Sequence, residues 1–449
     1  MTIRVSASLL GLASALVLYF YNSQAHAANY TTCIRWEVQT IDSGNTVAAG
    51  PAAGVTEDYW TNADSQIWTQ ASGVRVKISR GTWETTLDAN SIGCVSWSSS
   101  DTSGFSVRVY GYSTDAHDNF VRIHNSTSTT CPSYPGGTYS MLVTNYTPTP
   151  SSSDYLTVGS GDRKWTAMAA LAFGLSRVHD GLYNKAIHAG LKTGTTSGDC
   201  GGSTAHAGSL NGEITNDRHC LIIGACDPSA GTPQAQSKFV VAHELGHALG
   251  ALYYGGYASA VDGDEPGISY AGSNPTMSNP NTVCTDSGNF YEFGSREWNS
   301  VGFREGWAHF ISASVWNSKA QQCAYTWTGT HSCEHWSGAT NGGGITSGGR
   351  LENWCCPSGA CGSSLAGFAT NLDWLNFFWE WYTQSVASCP YSPDMEDMMQ
   401  VYANTRINGG LNASNYFTKM RTGASWLPLN SCLTGARFDF YASWHGIDN

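Results

Sequence analysis

The chain has 449 residues, 41% of them hydrophobic, 12% aromatic and only 12% charged, which excludes an intrinsically disordered polypeptide and leaves room for a large core or several domains. Its net charge of −12, from 34 acidic and 22 basic residues, disfavours nucleic acid or an anionic membrane surface as a partner. Fifty glycines and 14 cysteines point to a loop-rich, cross-linked fold.

Residues 1–27 read as a cleavable secretory signal. Arg4 precedes an apolar run from Leu9 to Phe20, and Ala25-His26-Ala27 places small residues at the two positions that decide cleavage. The run is short for a bilayer span, so no membrane anchor is expected after cleavage, and the protein is expected to be extracellular or periplasmic. All 14 cysteines follow this segment, an even number that predicts up to seven disulfides formed in an oxidising compartment. Cys355-Cys356 and Cys361 have no second cysteine pair at zinc-finger spacing, so they too are expected in disulfides.

From Cys33 to about Thr147 the pattern is mostly that of strands, with polar and apolar residues alternating in Val74-Arg75-Val76-Lys77-Ile78 and in Phe105-Ser106-Val107-Arg108-Val109. Trp60, Ala63, Ile67 and Trp68 recur at helical spacing, which predicts a helix over residues 57–71. Residues 147–153 read as a surface loop and Asp162 to Val178 as a helix. Cys220 to Gly224 reads as a short buried strand. Further helices are expected near residues 233–254, 295–316, 364–382 and 393–404, around a Gly- and Cys-rich loop region from Cys323 to Cys361. Leu372 to Tyr382 is dense in Trp and Phe and is expected in the core of a helical C-terminal lobe.

The chemistry concentrates in Val241-Ala242-His243-Glu244-Leu245-Gly246-His247-Ala248-Leu249-Gly250. Thr232 as N-cap, Pro233 in the first turn and Gly255 past the end mark a helix. Val241, Leu245, Ala248, Leu249 and Leu252 form its core stripe. His243, Gly246, His247 and Gly250 fall on another face. Two imidazoles four residues apart project side by side, as a shared zinc ion requires. Glu244 lies about 100° round from His243 and is placed to act as general base on a zinc-activated water. A His-Glu-x-x-His match arises by chance in about one such sequence in a hundred.

This segment resembles the active-site helix of the zincin metallopeptidases, and the branches of that group differ in the third ligand. In the metzincin branch the corresponding position here is Tyr253, and Met277 could imitate that branch's methionine turn. In the gluzincin branch a second helix supplies a Glu, and Arg304-Glu305-Gly306-Trp307-Ala308-His309-Phe310 is similar to that segment. The resemblance implies Glu305 as the third metal ligand and an α+β zincin-like two-lobed fold, with a mixed twisted sheet, the active-site helix and a mainly helical C-terminal lobe. It covers about 45 residues in two motifs. His247 and Glu305 stand farther apart than in gluzincins, so residues 257–292 are read as an insertion.

His309, one turn after Glu305, is either a partner of a zinc histidine or an ordinary packed helix residue. Tyr253, Tyr254, His331 and His335 are all available as oxyanion donors. Asp262-Gly263-Asp264-Glu265 invites a structural Ca2+ but lacks the EF-hand spacing, and a solvated acidic loop is the plainer reading.

The sequence thus predicts a signal peptide over 1–27, a catalytic domain over 28–320 (β-rich to about 150) and Cys-rich loops with a helical lobe over 321–449. The expected function is that of a secreted Zn2+-dependent metallopeptidase acting on protein or peptide substrates. Rival readings are an exopeptidase or cell-wall amidase of the same mechanism, and a non-catalytic zincin-like secreted binding protein. Intact Glu244 disfavours the last, because a structural metal site has no use for a base.

Overall fold

The computed structural model describes residues 27–39, 66–124, 137–159, 163–178, 184–192, 206–208, 218–224, 238–254, 296–297, 299–316, 369–383, 391–406, 420–422, 424, 437–445 and 447. Their content is α+β, with mixed sheets packed against helices. Residues 1–26 lie outside this set, and with them all of the expected signal segment but Ala27. No described helix is long and apolar enough to cross a membrane.

Strand β1 (Ala28–Gln39) organises a four-stranded sheet with β2 (Gln66–Gln70), β5 (Cys94–Ser99) and β9 (Ser153–Val158). Its first half pairs antiparallel with β5 and its second half antiparallel with β2, while β9 runs parallel along the other side. Register places Cys33 opposite Cys94, and the two form a disulfide, one of those expected from the even cysteine count. The helix expected over residues 57–71 is corrected here. Its described part, Gln66–Gln70, is β2, because the carboxyl half of β1 supplies a ladder of backbone partners that local helical spacing cannot reveal. Residues 147–152 form the expected loop before β9.

An eight-stranded sheet follows, made of β3 (Val74–Arg80), β4 (Trp83–Asp88), β6 (Phe105–Thr114), β7 (Phe120–Ile123), β8 (Ser140–Tyr146), β10 (Ala186–Lys192), β11 (His206–Gly208) and β12 (Arg218–Gly224). The strand order is β11-β12-β10-β7-β6-β3-β4, and β8 adds to β6 beyond the end of β7. β7, β10 and β12 are parallel, and β11 closes this end antiparallel to β12.

Alternation sets the two faces. Val76, Ile78, Val107, Val109, Val121, Ile123, Ile187 and Ala189 are buried in one core with the helices. Arg122, His124 and His188 point the other way, where His124 Nε2 and His188 Nδ1 share a hydrogen bond of 2.8 Å.

Helix α1 (Arg163–Val178) packs on β1, β6 and β7 and so ties the two sheets together, with Trp165, Met168, Leu171 and Leu175 buried. Helix α2 (Lys238–Tyr254) lies against α1, β11 and β12, and α3 (Asn299–Trp316) crosses α2. A short pairing of β13 (Arg296–Glu297) with β14 (Ala369–Thr370) joins the entry of α3 to that of α4 (Asn371–Thr383). Trp374, Phe377, Phe378, Trp379 and Trp381 of α4 are buried, as their density in the sequence predicts.

Helices α5 (Met395–Arg406) and α6 (Arg437–His445) complete the helical part. The wholly buried Arg437 donates hydrogen bonds to the carbonyl oxygens of Trp381, Glu380 and Tyr391, satisfying acceptors that the end of α4 leaves open. Burial lowers the pKa of this guanidinium to about 10.

Candidate metal centre

Every residue from Val241 to Gly250 on α2 is buried. Val241, Leu245, Ala248 and Leu249 supply the expected apolar stripe, and the face carrying His243 and His247 is covered by α3 rather than by solvent. Two small residues permit that cover. A Cβ built on Gly246 would stand 2.7 Å from the Ala308 Cα and 3.0 Å from its carbonyl oxygen, so only a glycine allows the helices to approach this closely. Glu305 is thereby delivered from α3 to the two imidazoles of α2.

The three side chains meet in a nearly equilateral triangle. His243 Nε2 and His247 Nε2 are 3.1 Å apart, and Glu305 Oε2 lies 3.3 Å from the first and 3.2 Å from the second. The two rings are almost perpendicular, at 88°. A tetrahedral ion with bonds of about 2.0 Å needs donor atoms about 3.3 Å apart, so these residues fit three corners of such a site without rearrangement. Two neutral imidazoles and one carboxylate are ordinary ligands of a first-row divalent ion. The group can hold a metal ion, and the spacing that identified His243 and His247 is reproduced as geometry.

Electrostatics bind the triangle together. Burial would raise the Glu305 carboxyl, but the His247 charge and hydrogen bonds from His243 and His247 overcome it and hold this acid well below the usual carboxylate range. For His243, burial favours the neutral ring. The Glu305 hydrogen bond and the charges of Glu244 and Glu305 outweigh it and raise its basicity. The same carboxylate that favours a proton on His243 thus favours a cation in its place.

Glu305 is the most deeply buried of the set, at 1% exposed, while Glu244, His247 and His243 retain 6%, 8% and 9%. His309 packs its ring on His243 with centroids 4.3 Å apart and planes inclined at 46°. Its burial, reinforced by the charges of His243 and His247, lowers its pKa well below the ordinary value, so the ring is neutral.

Among the described residues the structure brings His243, His247 and Glu305 together as one metal-ligating group. Tyr253 belongs to α2, but its side chain lies outside the described residues, as does that of Tyr254. Met277, His331, His335, the Asp262-Gly263-Asp264-Glu265 segment and Cys355, Cys356 and Cys361 lie outside them as well. Sequence reasoning missed Ala308 and Tyr402. Ala308 is where α3 meets Gly246. Tyr402 reaches α2 from α5, its hydroxyl 3.0 Å from where a Gly250 Cβ would be. A small residue on α3 beside the Glu was a usable signal for the first, whereas nothing local marks the second.

No protein-family model matches the chain, and no curated protein matches it.

Proposed function

We propose that this protein is a secreted zinc-dependent metallopeptidase with a zincin-like two-lobed fold and the gluzincin ligand set His243, His247 and Glu305. The observation that carries the reading is the triangle of donor atoms with sides of 3.1 to 3.3 Å, built by a His-Glu-x-x-His helix and a Glu from a second helix. Three protein ligands leave a tetrahedral ion one position for chemistry, which distinguishes catalytic from structural zinc sites. A zinc ion held there would supply Lewis acidity toward water and an amide carbonyl.

The remaining steps belong to the chain's own groups. Glu244 follows His243 directly and is not one of the three residues of the ligand triangle. It accepts a proton from the water that attacks the peptide carbonyl and passes a proton to the leaving amine. Neutral His309 packs against the His243 ring and limits its rotation. Among the described residues strand β11 is the last of the eight-stranded sheet on the side that packs on α2. The Cys33–Cys94 disulfide supports export to an oxidising compartment.

The test is metal analysis of the secreted protein followed by cleavage of unfolded casein with and without a chelator. One zinc per chain and chelator-sensitive cleavage are expected. A zinc-loaded protein that cuts neither casein nor a peptide library would end the peptidase reading, and a protein that takes up no zinc would end the metal-centre reading as well.

A further inference from the structure

Tyr402 lies far along the chain from the histidines and the glutamate, in a part that the sequence assigns to a separate C-terminal lobe. It is nevertheless buried, 3% exposed, at the junction of three helices. Its ring stacks on Phe303 of α3, with centroids 5.0 Å apart and planes 6° from parallel, and on Trp307, at 4.0 Å and 27°. Its hydroxyl end rests against α2. A Cβ on Gly250 would stand 3.0 Å from the Tyr402 Oη, 3.3 Å from its Cε1 and 3.4 Å from the Trp307 Cδ1.

Phe303 and Trp307 are one turn apart and share a flank of α3, while Glu305, midway between them in sequence, projects from roughly the opposite flank. Translation of α3 toward α2 is limited by the Gly246 contact with Ala308. Rotation of α3 about its own axis is the motion that this contact leaves open. At a side-chain radius of 5–6 Å, a turn of about 20° would move a carboxylate by about 2 Å, enough to take it out of bonding range of a shared ion. A rigid ring stacked on both Phe303 and Trp307 resists that rotation from α5, alongside Phe378 of α4, which meets the same two rings at 5.9 and 5.3 Å.

We infer that Tyr402 is a positioning residue for the metal centre, one that restrains the rotation of α3 from the α5 side and so helps hold Glu305 in the triangle with His243 and His247. The inference rests on the metal-centre reading above. It also makes α5 a working part of that centre, whatever boundary divides the chain.

The experiment measures Zn2+ affinity by competition with a chromophoric chelator, alongside urea unfolding of the metal-free protein, for the wild type, Tyr402→Phe, Tyr402→Ala, Gly250→Ala and the pair Gly250→Ala with Tyr402→Phe. Tyr402→Phe keeps the stacked ring and is expected to stay within about threefold of wild type. Tyr402→Ala is expected to weaken zinc by about 10- to 100-fold in folded protein, the range seen when supporting partners of metal ligands are lost. Gly250→Ala presses on the tyrosine hydroxyl and is expected to weaken zinc, and adding Tyr402→Phe, which removes that hydroxyl, is expected to restore most of the loss.

A purely structural role would lower urea stability without this rescue of zinc affinity. The inference is overturned if folded Tyr402→Ala binds zinc like wild type, or if the double variant is no better than Gly250→Ala alone. The second comparison decides the matter even where Tyr402→Ala does not fold. A wild-type protein that binds no zinc would instead remove the metal centre itself.

Discussion

Gly246 on α2 faces Ala308 on α3 with no room for a side chain, a Cβ there being 2.7 Å from the Ala308 Cα. Gly to Ala inside a helix is ordinarily favourable by about 0.8–1 kcal/mol. Here Gly246→Ala is expected to have the opposite sign, destabilising the fold by about 1–3 kcal/mol because backbone atoms must separate. Zinc affinity should fall with it, since Glu305 sits one turn before Ala308. Chemical denaturation and zinc titration of the variant check both effects, and a more stable Gly246→Ala protein would disprove the tight crossing.

Glu244→Gln is expected to keep fold and zinc while turnover drops by about 10²–10⁴. The amide preserves the shape of the carboxylate but cannot accept the proton. Steady-state cleavage and metal content measured on the same preparation make the check. Wild-type turnover in the variant would remove Glu244 from the mechanism.

Glu305→Ala is expected to bind zinc far more weakly and lose activity with it, because two imidazoles alone fall short of the three protein ligands of a catalytic site. Tyr253→Phe is expected to retain the metal. Calorimetric titration of the two variants separates the gluzincin ligand set from a metzincin-like one. Zinc retained in the first and lost in the second would reverse the assignment.

The metal-free protein should carry a pH signature of the same pair. The raised pKa of His243 means that its stabilising contribution is complete below its ordinary value of 6.5 and is lost as pH rises through the raised value. The lowered pKa of Glu305 means that its contribution is complete above 4.5 and is lost as pH falls through the depressed value. Both act together between about pH 4.5 and 6.5, and urea unfolding across pH should show a contribution there that Glu305→Gln abolishes. Zinc competes with the proton for His243, so its affinity should climb as pH rises through the raised pKa of that ring.

The Cys33–Cys94 bond closes a sequence separation of 61 residues, and replacing both cysteines by serine is expected to cost ~4 kcal/mol by loop-closure entropy. Denaturation midpoints of the variant test this. Thiol titration of the unfolded wild-type protein is expected to find no free cysteine, and two or more reactive thiols would contradict the disulfide framework.

Sequence and structure agree where the determining contacts are local. The stripe of Val241, Leu245, Ala248 and Leu249 set α2 in place, and the four-residue step from His243 to His247 carried directly into a 3.1 Å approach of their ring nitrogens. Glu305 was legible through the similarity of Arg304 to Phe310 to the Glu-bearing second helix of the gluzincins. The strand alternation of Val74 to Ile78 and Phe105 to Val109 survives as buried and half-exposed faces. Where partners come from afar, local pattern misleads. Ile67 and Trp68 kept helical spacing with Trp60 and Ala63, yet their segment pairs as a strand with the distant β1. Helix α6 went unread because its only strong feature, Arg437 inside the protein, makes sense only beside the end of α4. Tyr402 is invisible for the same reason, since its meaning lies in rings on another helix.

The order of parts along the chain has a consequence for how such a protein is made. The four-stranded sheet needs β1 and β9 side by side, so even its first strand waits for residue 158. A chain grown to residue 254 has both imidazoles but no carboxylate to join them, and one grown to residue 316 has the triangle's three corners without α5 to steady them. Such non-local pairing makes folding slow relative to helical proteins of local contact. A nascent or unfolded chain therefore carries its metal-ligating groups unassembled, and the three meet only once residues as far along as α3 have been delivered and folded.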